Sequence, residues 1–316
     1  MSERAVLRLG TRKSPMAMAQ SGLVARSITE QTGYRVELVG VTTHGDVSRA
    51  QVAQIGGTGV FVSALRDRLL DGDVDLAVHS LKDLPTGQPD GITLAAVPAR
   101  DDPRDALIAR DGAKLADLPP GARIGTGSPR RAAQLLLLRR DVRCVPIRGN
   151  ADTRLGKVGA GELDAVVLAY AGLTRIGRLD AVSQVFEPDD MLPAPGQGAL
   201  AVECRAADAR LAGLLAAVDD PLSRAAVTAE RTVLAVLEAG CHAPVGAYAA
   251  GTAEHLHVEA AVIAADGSQA LRERLRGRSA DAGRLGHDIA DRLLARGAGS
   301  LISVPSARTI NGKDAQ

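Results

Sequence analysis

The stretch ARIGTGSPRRAAQLLLL, residues 122–138, decides how this chain is to be read. Arg123-Ile124 has the character of a short strand, Gly125-Thr126 of the turn that ends it, and Ser128-Pro129 of the opening of an Ala/Leu helix. Serine is a good N-cap and proline suits the first helical position, so the junction is specified locally. Residues 6–24, VLRLGTRKSPMAMAQSGLV, repeat the plan: a strand from Val6 to Leu9, Gly10-Thr11, then Ser14-Pro15 opening an Ala/Met/Leu helix. A second echo joins LDGDVDLAV at 70–78 to GAGELDAVV at 159–167, each a helix end, a glycine and an apolar strand. The pattern predicts two similar α/β domains in tandem, with mostly parallel strands covered by helices.

Proline and charge gather at 97–105 (VPARDDPRD), 186–198 (FEPDDMLPAPGQG) and 218–223 (VDDPLS), which mark the joints. Beyond the third joint, Leu222, Ala226, Ala229, Val233 and Leu237 keep helical spacing. Strand-like runs follow at 245–250 and 255–264, and Asp266-Gly267 makes a hairpin turn into 269–276. Ala282, Leu285, Ile289 and Leu293 then share one helix face. This third domain is expected to be smaller and α+β.

The 316 residues suffice for two or three domains with proper cores. Aromatics are only 2%, with no Trp, so the cores are built from Ala, Val, Leu and Ile. So few rings argue against binding single-stranded nucleic acid, which relies on stacking. The net charge of +1 gives no global pull toward DNA or an anionic membrane. There is neither an 18-residue apolar run nor a secretory h-region in MSERAVLRLGTRKSP, so a cytoplasmic protein is expected. Three cysteines without a CxxC suggest neither a disulfide framework nor a zinc site. Cys144 and Cys204 sit in strand-like runs as packing residues, whereas Cys241, in AGCHAPVG, stands at a turn that suits covalent chemistry and equally a structural cysteine. His255 and His257 share a strand face, and with no third ligand evident they are read as a half-exposed strand rather than a metal pair.

Charge is unevenly spread. Residues 121–178 hold eleven Lys/Arg against four Asp/Glu, or +7 locally. Arg139, Arg140 and Arg143 are read as a solvated face. Arg130-Arg131 differs, because cations in the first turn of a helix are disfavoured unless an anion is bound there. Backbone N–H groups, a serine hydroxyl and guanidinium forks together suit a carboxylate or phosphate. Arg12, Lys13 and Ser14 repeat this at the first copy, so an anion-binding seam between the domains is expected. Arg148, before Gly149 and the helix cap Asn150, and Arg154 one turn on, point to several carboxylates in one ligand. HSLKDLP, residues 79–85, leaves the carboxyl end of the strand at 74–78, where open α/β sheets bind ligands. From the pattern alone Asp83 beside Lys82 reads first as a solvated pair; an acid held instead in a basic cleft would stay ionised and stabilise developing positive charge. A binding protein without turnover shares most of these features, though it needs neither Cys241 nor Asp83. Nucleotide binding by the GTGS loop is weaker, since no GxGxxG or Walker pattern follows a strand.

LGTRKSPMAMAQ, GDVDLAVHSLKDLP, RDDPRDAL, GTGSPRRAAQL, RGNADTRL, DAVVLAYAGLTR, LPAPGQGALAVECR and GCHAPVG occur in order between residues 7 and 246, about three quarters of the chain. Together they resemble the porphobilinogen deaminase (hydroxymethylbilane synthase) family. The resemblance implies two α/β domains like the lobes of periplasmic binding proteins plus a smaller C-terminal α+β domain: residues 1–99 with 197–219, 100–196, and 220–316. It implies a transferase of tetrapyrrole and haem biosynthesis that joins four porphobilinogen molecules head to tail, with loss of four ammonias and hydrolytic release of hydroxymethylbilane. The cofactor it implies is a dipyrromethane in thioether linkage to Cys241. Asp83 matches the catalytic aspartate, whose carboxylate would stabilise the azafulvenium-like cation left by ammonia. Ser14, Ser80, Lys82, Thr126, Ser128, Arg130 and Arg131 match cofactor contacts. Arg12, Arg148, Arg154, Arg175, Gln20 and Gln197 match contacts to the acetate and propionate groups of the substrate. A metal, nucleic acid, membrane or second subunit is not expected, and the chain is read as a monomer. Departures are Thr58, where relatives often have Lys, Gly127 in place of a second Ser, and Ala239 in place of Gly.

Overall fold

The computed structural model of this chain describes residues 6–41, 59–240 and 243–302. Cys241, His242 and Thr58 lie outside the described residues.

Each of the two junctions forms as its local chemistry dictates. Strand β1 (Leu7–Arg12) runs into helix α1 (Pro15–Thr32), whose first turn is capped by the Ser14 hydroxyl accepting from the Ala17 amide. The helix ends at Gly33, in the left-handed conformation. Along the first lobe follow β2 (Val36–Val41), α2 (Gly59–Leu70), β3 (Leu76–Ser80), a single 3-10 turn at Leu81–Asp83, and β4 (Ile92–Ala96). After the crossover at 97–104, the second lobe runs through β5 (Asp105–Ala109), β6 (Arg123–Gly125), α3 (Pro129–Leu138) and β7 (Arg143–Val145). It continues through α4 (Ala151–Gly159), β8 (Ala165–Ala169), α5 (Tyr170–Arg175) and β9 (Gln184–Val185). Ser128 caps α3 by accepting from the Arg131 amide, as Ser14 caps α1. The chain then returns as β10 (Leu200–Arg205) and α6 (Ala209–Leu215).

The sheets are the same object twice. The first has the order β2-β1-β3-β10-β4 and the second β7-β6-β8-β5-β9. In each, the strand entering from a crossover is inserted fourth and pairs antiparallel with both neighbours. The expectation of mostly parallel strands holds for four of the five strands of each sheet, and the inserted strand alone makes both sheets mixed. A strand arriving from the other lobe enters from the carboxyl-end edge, so it can only run against the rest. Leu9, Leu76, Val78, Val202 and Cys204 form the first lobe's core with Val24 and Ile28 of α1 and Leu211 and Leu215 of α6. Ile124, Val167, Leu107, Leu135 and Phe186 pack one face of the second sheet.

The third domain follows with α7 (Pro221–Val236), strands β11 (Val245–Gly251), β12 (His255–Ile263) and β13 (Ala270–Arg278), then α8 (Ala282–Ala295) and α9 (Ala298–Ile302). The three strands are antiparallel in sequence order, and α7 and α8 cover one face through Val233, Val258, Val262, Ile289 and Leu293. The two helices pack closely because Gly286 carries no Cβ, which would fall 2.3 Å from the Ala229 carbonyl. The other face is split. Ala261 and Ile263 dock on Ala133 and Leu192 of the second lobe, whereas His255 and His257 stay exposed, as expected of a half-buried strand.

One buried carboxylate ties this domain to the crossovers. Glu230 on α7 accepts from Arg100 at 2.6 and 3.0 Å, from the Gly196 amide at 2.7 Å and from the Ala249 amide at 2.8 Å. The crossovers approach each other closely at Gly198 (φ +87), where a Cβ would stand 2.5 Å from the Asp101 carbonyl.

Candidate active site at the lobe junction

The carboxyl ends of β1, β3, β6 and β8 all point toward the crossovers, which is where an open α/β sheet offers its loops to a ligand. A fully buried carboxylate stands there: Asp105, the first residue of β5, has no exposed surface. Its Oδ2 accepts from Arg130 at 2.7 Å, and its Oδ1 accepts from Arg131 Nε and a terminal nitrogen at 3.0 and 2.7 Å. Burial works against the charged form of Asp105, but the two guanidinium groups outweigh it and hold the carboxyl well below the usual range. The anion that Arg130 and Arg131 require at a helix N-terminus is thus supplied in part from within the chain. The balance remains positive, two cations to one anion. Arg130 also donates to the Leu192 carbonyl and Arg131 to that of Val167, while the buried Nε of Arg130 has no partner.

Gln197 joins this cluster to the first lobe. It is 1% exposed, and its amide nitrogen donates to the Pro103 carbonyl at 2.7 Å and to Asp105 Oδ1 at 2.9 Å. Its carbonyl oxygen accepts from Lys82 Nζ at 3.2 Å and from Arg131 at 3.5 Å. Burial first, then Arg131, bring Lys82 down to about 8, against the pull of Asp83 and Asp105. Asp83, next in sequence, is exposed at the end of its 3-10 turn.

The remaining expected residues fall into two groups. Ser14 and Ser128 cap their helices, and Thr126 is buried, its hydroxyl accepting from the Ser128 amide at 3.1 Å. Gln20 is buried against Ser80 at 3.0 Å. Arg12 is half-buried at the end of β1, and Arg148 is exposed. Arg154 is half-buried and donates to the Gly149 carbonyl at 2.9 Å; burial, then the nearby Arg131, disfavour its charge. Arg175 is bound into the crossovers, donating to Asp101 at 2.8 Å and to the Gly198 carbonyl at 2.6 Å. The expectation that Arg139 is a solvated residue is corrected: it is half-buried and donates to the carbonyls of Leu115, Ala116 and Leu118, whereas Arg140 and Arg143 are exposed.

Sequence reasoning missed Asp105, Glu230 and Arg100. Asp105 lies in a Pro- and charge-rich joint, where an acid reads as solvated. The available signal was the arginine pair itself, which called for an anion. A cavity of about 430 Å³ lined by Ile108, Arg110, Leu155 and Arg178 lies at the opposite end of the second sheet and holds none of these residues. Among the described residues, no group of three or more His, Cys, Asp or Glu is arranged to hold a metal ion. No helix there is long and apolar enough to cross a membrane.

Two family models match the chain: "Porphobilinogen deaminase, dipyromethane cofactor binding domain" over residues 7–213 and "Porphobilinogen deaminase, C-terminal domain" over residues 224–295. A porphobilinogen deaminase from Thermobifida fusca is 68% identical over 269 residues, covering 84% of this chain and 83% of its own. Porphobilinogen deaminase 1 of Streptomyces coelicolor is 56% identical over 315 residues, covering 96% of this chain and 98% of its own. Among solved structures, a periplasmic substrate-binding protein of an ABC transporter from Coxiella burnetii covers 71% of this chain and 96% of its own, with a TM-score of 0.43 and 15% identity. With both models matched in order and relatives aligned along nearly its whole length, the chain belongs to the porphobilinogen deaminase family.

Proposed function

We propose that Asp83 is the catalytic carboxylate of the family's reaction and that the cationic cluster around Asp105 receives the carboxylates of cofactor and substrate. The chain is a transferase of tetrapyrrole biosynthesis. It condenses four porphobilinogen molecules head to tail with release of four ammonias, and hydrolysis frees linear hydroxymethylbilane. The observation that carries the assignment is the charge imbalance at the lobe junction. Lys82, Arg130 and Arg131 gather around one buried acid, and Arg154 stands nearby. An excess of partly desolvated cations is a site prepared for carboxylates, of which every pyrrole unit brings two.

The donor set fits a dipyrromethane, with Lys82, Arg130, Arg131, Ser14, Ser80, Thr126 and Ser128 as the residues that would hold it and Cys241 as its point of attachment. When bound, the group offers a pyrrole α-carbon as the start of the growing chain. Asp83, exposed and acidic beside this basic surface, stabilises positive charge that develops on the substrate as ammonia leaves. It also takes part in moving the proton lost as the pyrrole regains aromaticity. Arg12, Arg148 and Arg154 bind substrate carboxylates. The bonds made by Gln197, Gln20 and Arg175 support a part behind the ligand, fixing Lys82, Ser80 and the crossovers. The same reading divides the chain into 1–99 with 197–219, 100–196 and 220–316, supported by the pairing of β10 with β3 and β4. It takes the protein to be a cytoplasmic monomer, and a net charge of +1 with few aromatic rings supports the absence of a nucleic-acid partner.

The test is the intact mass of the denatured protein with peptide mapping, followed by assay of Asp83→Asn. A mass excess of two porphobilinogens less two ammonias on Cys241 is expected. Asp83→Asn should keep that mass and lose turnover by about 10²–10⁴-fold. An unmodified Cys241 in protein from porphobilinogen-making cells, or a fully active Asp83→Asn, overturns the assignment.

A further inference from the structure

The turn that presents Asp83 is too short to hold itself. Leu81–Asp83 is one turn of 3-10 helix, closed by the Leu84 amide bonding to the Leu81 carbonyl at 3.1 Å. Such a turn leaves carbonyls at its end without internal donors, and an isolated helical turn has no stability of its own. Its supports come from elsewhere in the chain. The Leu81 amide donates to the Ala199 carbonyl at 3.0 Å, and Leu84 is buried against Val97, Ala199 and Val227.

The strongest support is a guanidinium of the third domain. Arg231, on α7, donates to the carbonyls of Leu81 at 3.2 Å, Leu84 at 3.0 Å and Pro85 at 2.6 Å. These three oxygens bracket Asp83 on both sides. Arginine suits the task because its planar fork carries five donors in fixed directions, whereas an ammonium is a point charge on a flexible stem. The residue before it, Glu230, fastens the same helix to Arg100 and to the Gly196 amide of the crossovers. Neighbouring residues of α7 therefore grip the joint between the lobes and the Asp83 turn.

We propose that Arg231 is a positioning residue for Asp83: the third domain, through three carbonyl contacts, sets where the carboxylate of the first lobe stands. The inference rests on the reading of Asp83 as the catalytic carboxylate. Its consequence is that the domain bearing Cys241 and the turn bearing the acid keep a fixed relation, whatever the second lobe does.

Arg231→Met is the test, with Arg231→Lys beside it and Asp83→Asn in parallel. In Arg231→Met, kcat should fall about 10–100-fold, the effect of misplacing a reacting group by about an ångström, with KM within threefold and the mass on Cys241 unchanged. Amide hydrogen exchange of the peptide spanning residues 81–85 should quicken at least tenfold while that of the β3 strand does not. Arg231→Lys, which can reach one or two of the carbonyls, should lie between. In an Asp83→Asn background, Arg231→Met should lower the residual turnover no further, because it acts through Asp83. Normal kcat in Arg231→Met, unchanged exchange, or a loss of activity that tracks lost cofactor mass overturns the inference. If Arg231→Met does not fold, Arg231→Lys with wild-type exchange at 81–85 overturns it. An active Asp83→Asn sinks the underlying assignment instead, so the two failures are distinct.

Discussion

The two lobes share one plan and divide the chemistry between them. By strand register, Leu200 of β10 stands opposite Ser80 in the first sheet where Asp105 of β5 stands opposite Ala169 in the second. The first lobe puts a leucine at this place, and the carboxylate it presents, Asp83, is exposed on the following turn. The second lobe buries its carboxylate there and wraps Arg130 and Arg131 around it. The helix-opening junctions differ likewise: Arg12 precedes the Ser14 cap, whereas the arginine pair follows Ser128 inside the helix. A duplicated scaffold thus becomes one lobe with an exposed acid on a braced turn and one with a buried basic wall. Polar groups at the end of a strand determine the difference, and the cores are left alike.

The sharpest way to break this contrast is Asp105→Asn. Two buried guanidinium groups would lose their counter-charge, and removing one partner of a buried ion pair costs about 3–5 kcal/mol. Denaturant unfolding should show a loss of that order; a change below 1 kcal/mol would mean that Arg130 and Arg131 are not held by Asp105.

The first lobe has its own buried acid, Glu203 on β10, and acid titration compares the two. Arg66 donates to Glu203 at 3.0 and 2.7 Å, and His79 Nε2 stands 3.3 Å away. Burial opposes ionisation of Glu203, but the adjacent His79 ring and the bonds from Arg66 outweigh it and hold the group down at about 2. A folded-state value below the ordinary 4.5 stabilises the protein above pH 4.5 and loses that contribution as pH falls toward 2. The unfolding free energy of the wild type should therefore drop across this window. Glu203→Gln should start lower, by about 3 kcal/mol, and fall less steeply. Parallel pH profiles for the two proteins would refute it.

The smallest effect concerns what the lobes have in common. Ser14→Ala and Ser128→Ala each remove one cap acceptor, so each should cost about 1 kcal/mol in urea unfolding. Values differing by more than about 2 kcal/mol would show that the two junctions are not equivalent.

Much of this was legible in order of locality. Serine caps, Pro at the helix start and the Asp266-Gly267 hairpin act over three or four residues, and each stands where the pattern placed it. Apolar spacing likewise marked the helix faces of the third domain, Ala226, Ala229, Val233, Ile289 and Leu293. Periodicity reports which side of an element is buried, and it does so without reference to the partner.

The chain alone could not say what the buried side meets, nor in which direction a returning strand runs. Asp105 sits 25 residues before Arg130, in a joint whose composition is that of a linker, and its burial exists only because β5 is inserted beside β8. Arg175 resembles the other arginines in sequence yet turns into the crossovers, and Arg231 reads as the polar side of an amphipathic helix until the Asp83 turn is packed against it. Local sequence determined the elements and their duplication, because caps, turns and periodicity are short-range. Tertiary structure decided which charges are paired and which remain for a ligand, because pairing depends on distances between residues that the chain order keeps far apart.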